Sequence, residues 1–187
     1  ALFFRLNFFL IILFTHSSTM AYEESSFNII HQTDVYEIRY YDDRLAIQAA
    51  YNNQNSSFRI LFNYISGENI DSKKIEMTTP VTLSEKSSEK LMQFYLPVKF
   101  TKKTAPLPND PRVKLITIKE GYFAVIKYSG RTNDKNFNKH KRILQDNLIK
   151  DNIEIISPAI KAFYNGPFTL PLFRRNEAMF RIDWKKL

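Results

Sequence analysis

The feature that most constrains this 187-residue sequence is an order of elements that is spelled out twice. From residue 35, Tyr36, Ile38 and Tyr40 alternate with Glu37 and Arg39, the period of a half-buried strand. Asp42-Asp43 can turn the chain and Leu45 to Tyr51 continues it, so the spacing predicts a hairpin. Asn52 to Ser57 is a polar break rich in helix-capping residues. Phe58, Leu61, Phe62 and Ile65 then fall at i, i+3, i+4 and i+7, the apolar stripe of a helix that Gly67 stops. Two strands follow, one with Ile75, Met77, Thr79 and Val81 on a face, the other with Met92, Phe94, Leu96, Val98 and Phe100.

Thr101 to Arg112 carries Pro106, Pro108 and Pro111 and reads as a surface connection. Beyond it the order returns. Val113 to Lys119, a turn at Glu120-Gly121, and Tyr122 to Ser129 predict a second hairpin. Thr132 and Asn133 can cap a helix with the stripe Phe137, Leu144 and Leu148, and strands over 159–164 and 177–183 close the unit. A half with four strands and one helix leaves a sheet face bare, and two halves can bury those faces together. The expected class is α+β: an antiparallel, distorted β-barrel flanked by two α-helices, a pseudo-twofold repeat of hairpin, helix, strand, strand. The half-repeats run over about 34–100 and 113–183, inside a single domain spanning 34–187.

The first residues read differently. Arg5 precedes the unbroken apolar run Phe8 to Phe14, and a small, polar segment leads to Thr19-Met20-Ala21. That is the layout of a secretory signal peptide over 1–21, too short to span a bilayer, with residues 22–33 as a leader. On this reading the protein is exported, to a periplasm or the outside, with no stable membrane anchor in its mature form. The alternative is translation from Met20 and a cytoplasmic product. The absence of cysteine fits either compartment.

A net charge of +8 favours anionic partners. Nothing resembles a zinc finger, an RNA-recognition motif or a helix-turn-helix, so nucleic acid is not an expected partner. Nor is there a Gly-x-Ser-x-Gly elbow, a phosphate loop or a His-Glu-x-x-His site. His16, His31 and His140 are scattered, and His140, flanking the second helical stripe, reads as a structural side chain. No catalytic signature is present, and the expectation is a monomeric binding protein rather than an enzyme.

Four segments carry a resemblance. Tyr36-Glu37-Ile38-Arg39-Tyr40-Tyr41, Tyr64-Ile65-Ser66-Gly67-Glu68-Asn69, Lys74-Ile75-Glu76-Met77-Thr78-Thr79-Pro80-Val81, and Arg174-Arg175-Asn176-Glu177 after Tyr164-Asn165-Gly166-Pro167-Phe168 follow one another in order. Together they resemble the SOUL haem-binding family over about residues 34–183. The resemblance implies non-covalently bound b-type haem or another porphyrin, held by a carrier, buffer or scavenger. Some family members have a histidine where this chain has Tyr40, which makes Tyr40 the candidate axial ligand by phenolate. The family's groove lies along the first helix. Ile60 and Tyr64 extend that helix's apolar arc toward such a groove, and Arg59 and Lys73 are candidates for the propionates. Two other readings stand beside it. One is a gyrase-inhibitor-like module for a non-haem ligand. The other is a tetrapyrrole-modifying enzyme with Tyr40 or His140 as proton donor.

Overall fold

The computed structural model describes residues 22–51 and 53–185, so the expected signal peptide lies outside the described residues. Within them the chain forms β1 (Glu23–Glu24), β2 (Asn28–Gln32), β3 (Glu37–Tyr41), β4 (Arg44–Ala50), α1 (Gln54–Ile65), β5 (Thr78–Thr79), β6 (Val81–Lys86) and β7 (Glu89–Tyr95). After the proline-rich connection come β8 (Lys114–Ile118), β9 (Gly121–Tyr128), α2 (Asp134–Lys150), β10 (Glu154–Ile155), β11 (Ile160–Phe163), a 3₁₀ turn at Pro171–Phe173 and β12 (Asn176–Asp183). The doubled order is present. Asn53 and Asn133 cap the two helices, each accepting a hydrogen bond from a backbone N–H of its first turn.

The sheet is antiparallel and curled, in the order β2-β3-β9-β12-β11-β6-β7-β4-β8, with the short β10 beside β12. The pseudo-twofold shows in the pairing. β6, β7 and β4 are neighbours in one half as β11, β12 and β9 are in the other, and β6 joins β11 across the middle. Helix α1 packs on β4 and β7, and α2 on β9 and β12.

Both expected hairpins are corrected by this pairing. β3 pairs with β9 and β4 with β8, rather than β3 with β4 or β8 with β9. Glu37 faces Val125 and Tyr41 faces Gly121; beyond the corner Arg44 faces Ile118 and Gln48 faces Lys114, in unbroken register. Each supposed turn is therefore a corner in one long strand, and the two long strands form a bent ribbon that ties the halves together. Asp43 holds the corner, accepting from the Glu120 N–H at 2.8 Å and the Lys119 ammonium at 2.9 Å. Arg181 closes it from the other side by donating to the Lys119 and Glu120 carbonyls. A Cβ on Gly121 would meet that guanidinium at 2.5 Å, and φ there is +154°.

Two further strands are shorter than their alternation suggests. The stretch from Ile75 does not pair before Thr78–Thr79, which run parallel to β1, with Val81 opening β6, and β7 ends at Tyr95, two residues before Pro97, which has no N–H for a ladder. The leader is part of the fold: β2 pairs with β3, and Glu24 meets the Arg175 guanidinium at 2.9 Å.

Both faces of β3 are buried, which alternation alone does not predict. Tyr36 and Ile38 pack under α2, while Arg39, expected on a solvent face, lies inside the curl with no exposed surface. It forms a two-pronged pair with the equally buried Glu177, both contacts at 3.0 Å, and its Nε donates to Glu37. Tyr164 donates its phenol to Glu177, and Arg175 donates to both Glu177 and Glu24. Charges removed from water must be fully paired, and here they are; removing one partner costs about 3–5 kcal/mol.

Candidate functional site

The first helix decides where a ligand can sit. The residues of α1 that bury against the sheet are Ser57, Leu61, Tyr64 and Ile65. Ser57 is small enough for close approach, and its hydroxyl donates to the Ala50 carbonyl at 3.0 Å. This stripe is rotated from the expected one. Phe58 and Phe62 remain 41% and 47% exposed. Their rings stack on each other at 6.1 Å, and Phe58 meets the ring of Phe94 edge-on at 5.1 Å.

The two phenylalanines form one wall of an apolar trough of about 440 Å³. Its floor is Met77, Val81, Leu83, Met92 and Phe163, and its far wall is the Tyr164–Pro167 turn with Arg174. β6 and β11, which meet on the pseudo-twofold, supply Val81, Leu83 and Phe163 of that floor, and β7 supplies Met92, so the trough runs along the seam of the two halves. It continues into a polar cleft of about 620 Å³ that shares Gln54 and Leu83 and is lined by Glu85, Lys90, Asp134, Lys141 and Lys161. The trough's volume and apolar walls suit a largely apolar molecule, and the adjoining cleft suits its polar substituents.

Polar groups at the trough are few. Arg174 donates to the Thr169 and Pro167 carbonyls at 2.7 Å each and has no carboxylate partner among the described residues. A ligand carboxylate can therefore meet an uncompensated guanidinium there. Lys161 is paired with Asp134, whose carboxyl that hydrogen bond holds below its ordinary range. Lys90 and Lys141 make no ion pair among the described residues. No histidine lines either region; the thioethers of Met77 and Met92 are the soft donors on the floor. The described residues also hold no cluster of three or more His, Asp or Glu suited to a metal ion.

None of the five residues singled out from sequence lines the trough or the cleft. Tyr64 is in the core, 1% exposed, with its phenol donating to the Pro106 carbonyl at 2.7 Å; burial pushes it up to about 12. Ile60 packs half-buried against the same core. Tyr64 thus lies under the proline-rich connection, and Phe58 and Phe62 line the trough instead of these two. Arg59 is exposed, and the Lys73 ammonium rests 5.0 Å over the Phe100 ring. Tyr40 sits on the α2 side of the sheet, against Tyr122 at 5.1 Å, and donates to Glu120 at 2.9 Å. That hydrogen bond raises its pKa, the opposite of what phenolate ligation requires. His140 stacks on Tyr128 at 4.2 Å, and His31 stacks on Trp184. The signal available in the sequence was the surplus of apolar residues on α1, more than one stripe can bury.

A family model described as SOUL heme-binding protein matches residues 22–181. No protein of curated function matches the chain in sequence. Among solved structures the chain is similar to the EcmrR C-terminal domain, with TM-score 0.60 and 10% identity over 79% of this chain and 96% of that one. It is also similar to a hydrolase from Listeria innocua, with TM-score 0.59 and 9% identity over 82% and 94% of the two chains. An uncharacterized conserved protein from the same organism gives TM-score 0.57 and 10% identity, over 80% and 92%. At these identities the likeness is one of fold.

Proposed function

The chain belongs to the SOUL heme-binding protein family, and from that premise we propose that its trough binds haem or a related tetrapyrrole without transforming it. The observation that carries the reading is the stacked Phe58–Phe62 pair, held half-exposed over a floor of Met77, Val81, Leu83 and Met92. Two large aromatic rings left beside water cost free energy unless a ligand covers them, and a macrocycle face is a suitable cover. On this reading Arg174, which lines the trough, would meet one propionate. Lys90 and Lys141, in the adjoining cleft, would meet another. Haem, when bound, would bring the Soret absorption of its porphyrin and, through its iron, an affinity for soft donors; Met77 and Met92 are the floor residues that would hold it. The role that follows is carriage or buffering, outside the cytoplasm if residues 1–21 act as an export signal.

The test is a hemin titration of residues 22–187, the span holding every described strand and helix, followed at the Soret band. Saturation at a single hemin per chain is expected, weakened by Phe58→Ser and retained in Tyr40→Phe. Loss of binding in Tyr40→Phe with retention in Phe58→Ser would move the site to the α2 side of the sheet. A shift no greater than that of a nonspecific protein control would remove haem as the ligand.

A further inference from the structure

The turn that forms the far wall of the trough carries apolar side chains that the trough does not use. Phe168 is 97% exposed, and Leu170, Leu172 and Phe173 are 64%, 74% and 71% exposed. Four large apolar side chains within six residues, on a segment that projects from the sheet between β11 and β12, form a patch rather than scattered exposure. Much of the backbone beneath them is already satisfied. The Pro167 and Thr169 carbonyls accept from Arg174, and the Pro171 carbonyl accepts from the Gly130 N–H at 2.8 Å. The Gly166 and Leu170 carbonyls accept from the Thr169 and Phe173 N–H groups. Pro167 and Pro171 bring no N–H at all. Such a turn has few polar groups left to strand, and those still unpaired, the Phe168, Leu170 and Leu172 N–H groups among them, can be met by headgroups and water at a lipid interface.

Along the chain the charge flanking the patch has one sign. From residue 155 to residue 176 the chain contains no acidic residue. Arg174 closes the turn, and Arg131 follows Gly130, to which the turn is bonded; neither has a carboxylate partner among the described residues. An apolar tip on a cationic base complements an anionic bilayer surface, with the rings at the acyl boundary and the guanidinium groups among the headgroups.

We propose that the Pro167–Phe173 turn is a peripheral docking element for anionic membranes. Docking there brings the trough, whose wall includes Gly166 and Pro167, to the surface where apolar ligands partition. The apolar tip is independent of which ligand the trough takes, Arg174 alone being shared between them, and it is not an anchor: attachment is reversible and salt-sensitive.

The test is co-sedimentation with phosphatidylcholine vesicles, with and without phosphatidylserine, for the full chain and for residues 22–187. The shorter chain keeps the apolar run at Phe8–Phe14 from masking the result. Binding is expected to phosphatidylserine vesicles, to weaken as salt rises, and to fall at least about tenfold in Phe168→Ser/Phe173→Ser. The variant residues are exposed, so the circular dichroism spectrum and the hemin titration should be unchanged. Absence of binding by residues 22–187 would overturn the proposal, as would equal binding by the variant. It would also be overturned if the variant turned a dimer into a monomer on size-exclusion, since the patch would then be an interface between copies.

Discussion

Helices α1 and α2 occupy equivalent places in the two halves, yet only one of them buries the face its sequence advertises. In α2 the expected stripe of Phe137, Leu144 and Leu148 is the buried one. Its other positions are largely polar or charged, so only one rotation about its axis is compatible with a core. In α1 apolar residues occupy 58, 60, 61, 62, 64 and 65, which is enough for two overlapping arcs. The sheet takes Leu61, Tyr64 and Ile65, and the displaced Phe58 and Phe62 become the wall of the trough. A helix with a single apolar stripe is scaffold; one with a stripe to spare is where a ligand should be sought.

The largest effect that sharpens this contrast is expected on the scaffold side. Leu144→Ala, at a side chain with no exposed surface, should lower unfolding free energy by about 2–5 kcal/mol in urea and leave hemin binding unaltered. Tyr64→Phe should cost about 1–3 kcal/mol, because the buried Pro106 carbonyl loses its donor. A neutral result would mean that Tyr64 faces the ligand rather than the core. Phe62→Ser should change stability by less than about 1 kcal/mol while weakening hemin binding about tenfold. The reverse pattern, a large stability loss with binding intact, would return Phe62 to the core and break the comparison.

The smallest effect concerns the helix ends. α2 has Asp134 in its first turn, paired with Lys161, whereas α1 has no acidic residue there. The Lys161 hydrogen bond lowers the Asp134 pKa below its unfolded value near 3.8, so the stabilisation is present above that pH and disappears as pH falls through the folded pKa. Because Asp134 is largely exposed, Asp134→Asn should cost at most about 0.5 kcal/mol at neutral pH. The difference from the parent should shrink as pH falls below the unfolded value and vanish once Asp134 is protonated in the folded state; a difference that persists in acid would assign the effect to something other than charge.

Periodicity located both helices, their asparagine caps and most strands, because those signals are local: an apolar side chain every second or every third to fourth residue. It misread pairing. Asp42-Asp43 and Glu120-Gly121 look like hairpin turns, and whether such a site reverses the chain or bends it depends on a partner strand about 80 positions away in sequence. Arg39 is the clearest case of a side chain the pattern could not place. Its alternation with Tyr36, Ile38 and Tyr40 marks the other face but cannot say whether that face meets water or Glu177.

The sequence by itself determined the class of fold, the doubled order and the existence of surplus apolar surface on α1, since each is carried by spacing along the chain, while four short motifs carried the resemblance to the family. Only the tertiary structure decided which rotation of α1 the sheet accepts, and with it that Phe58 and Phe62, not Ile60 and Tyr64, face the trough. The physical reason is that residues 58 and 62 compete with 60 and 64 for one sheet surface. The small Ser57 and the Pro106 carbonyl, from two distant segments, settle that competition by close packing and one buried hydrogen bond.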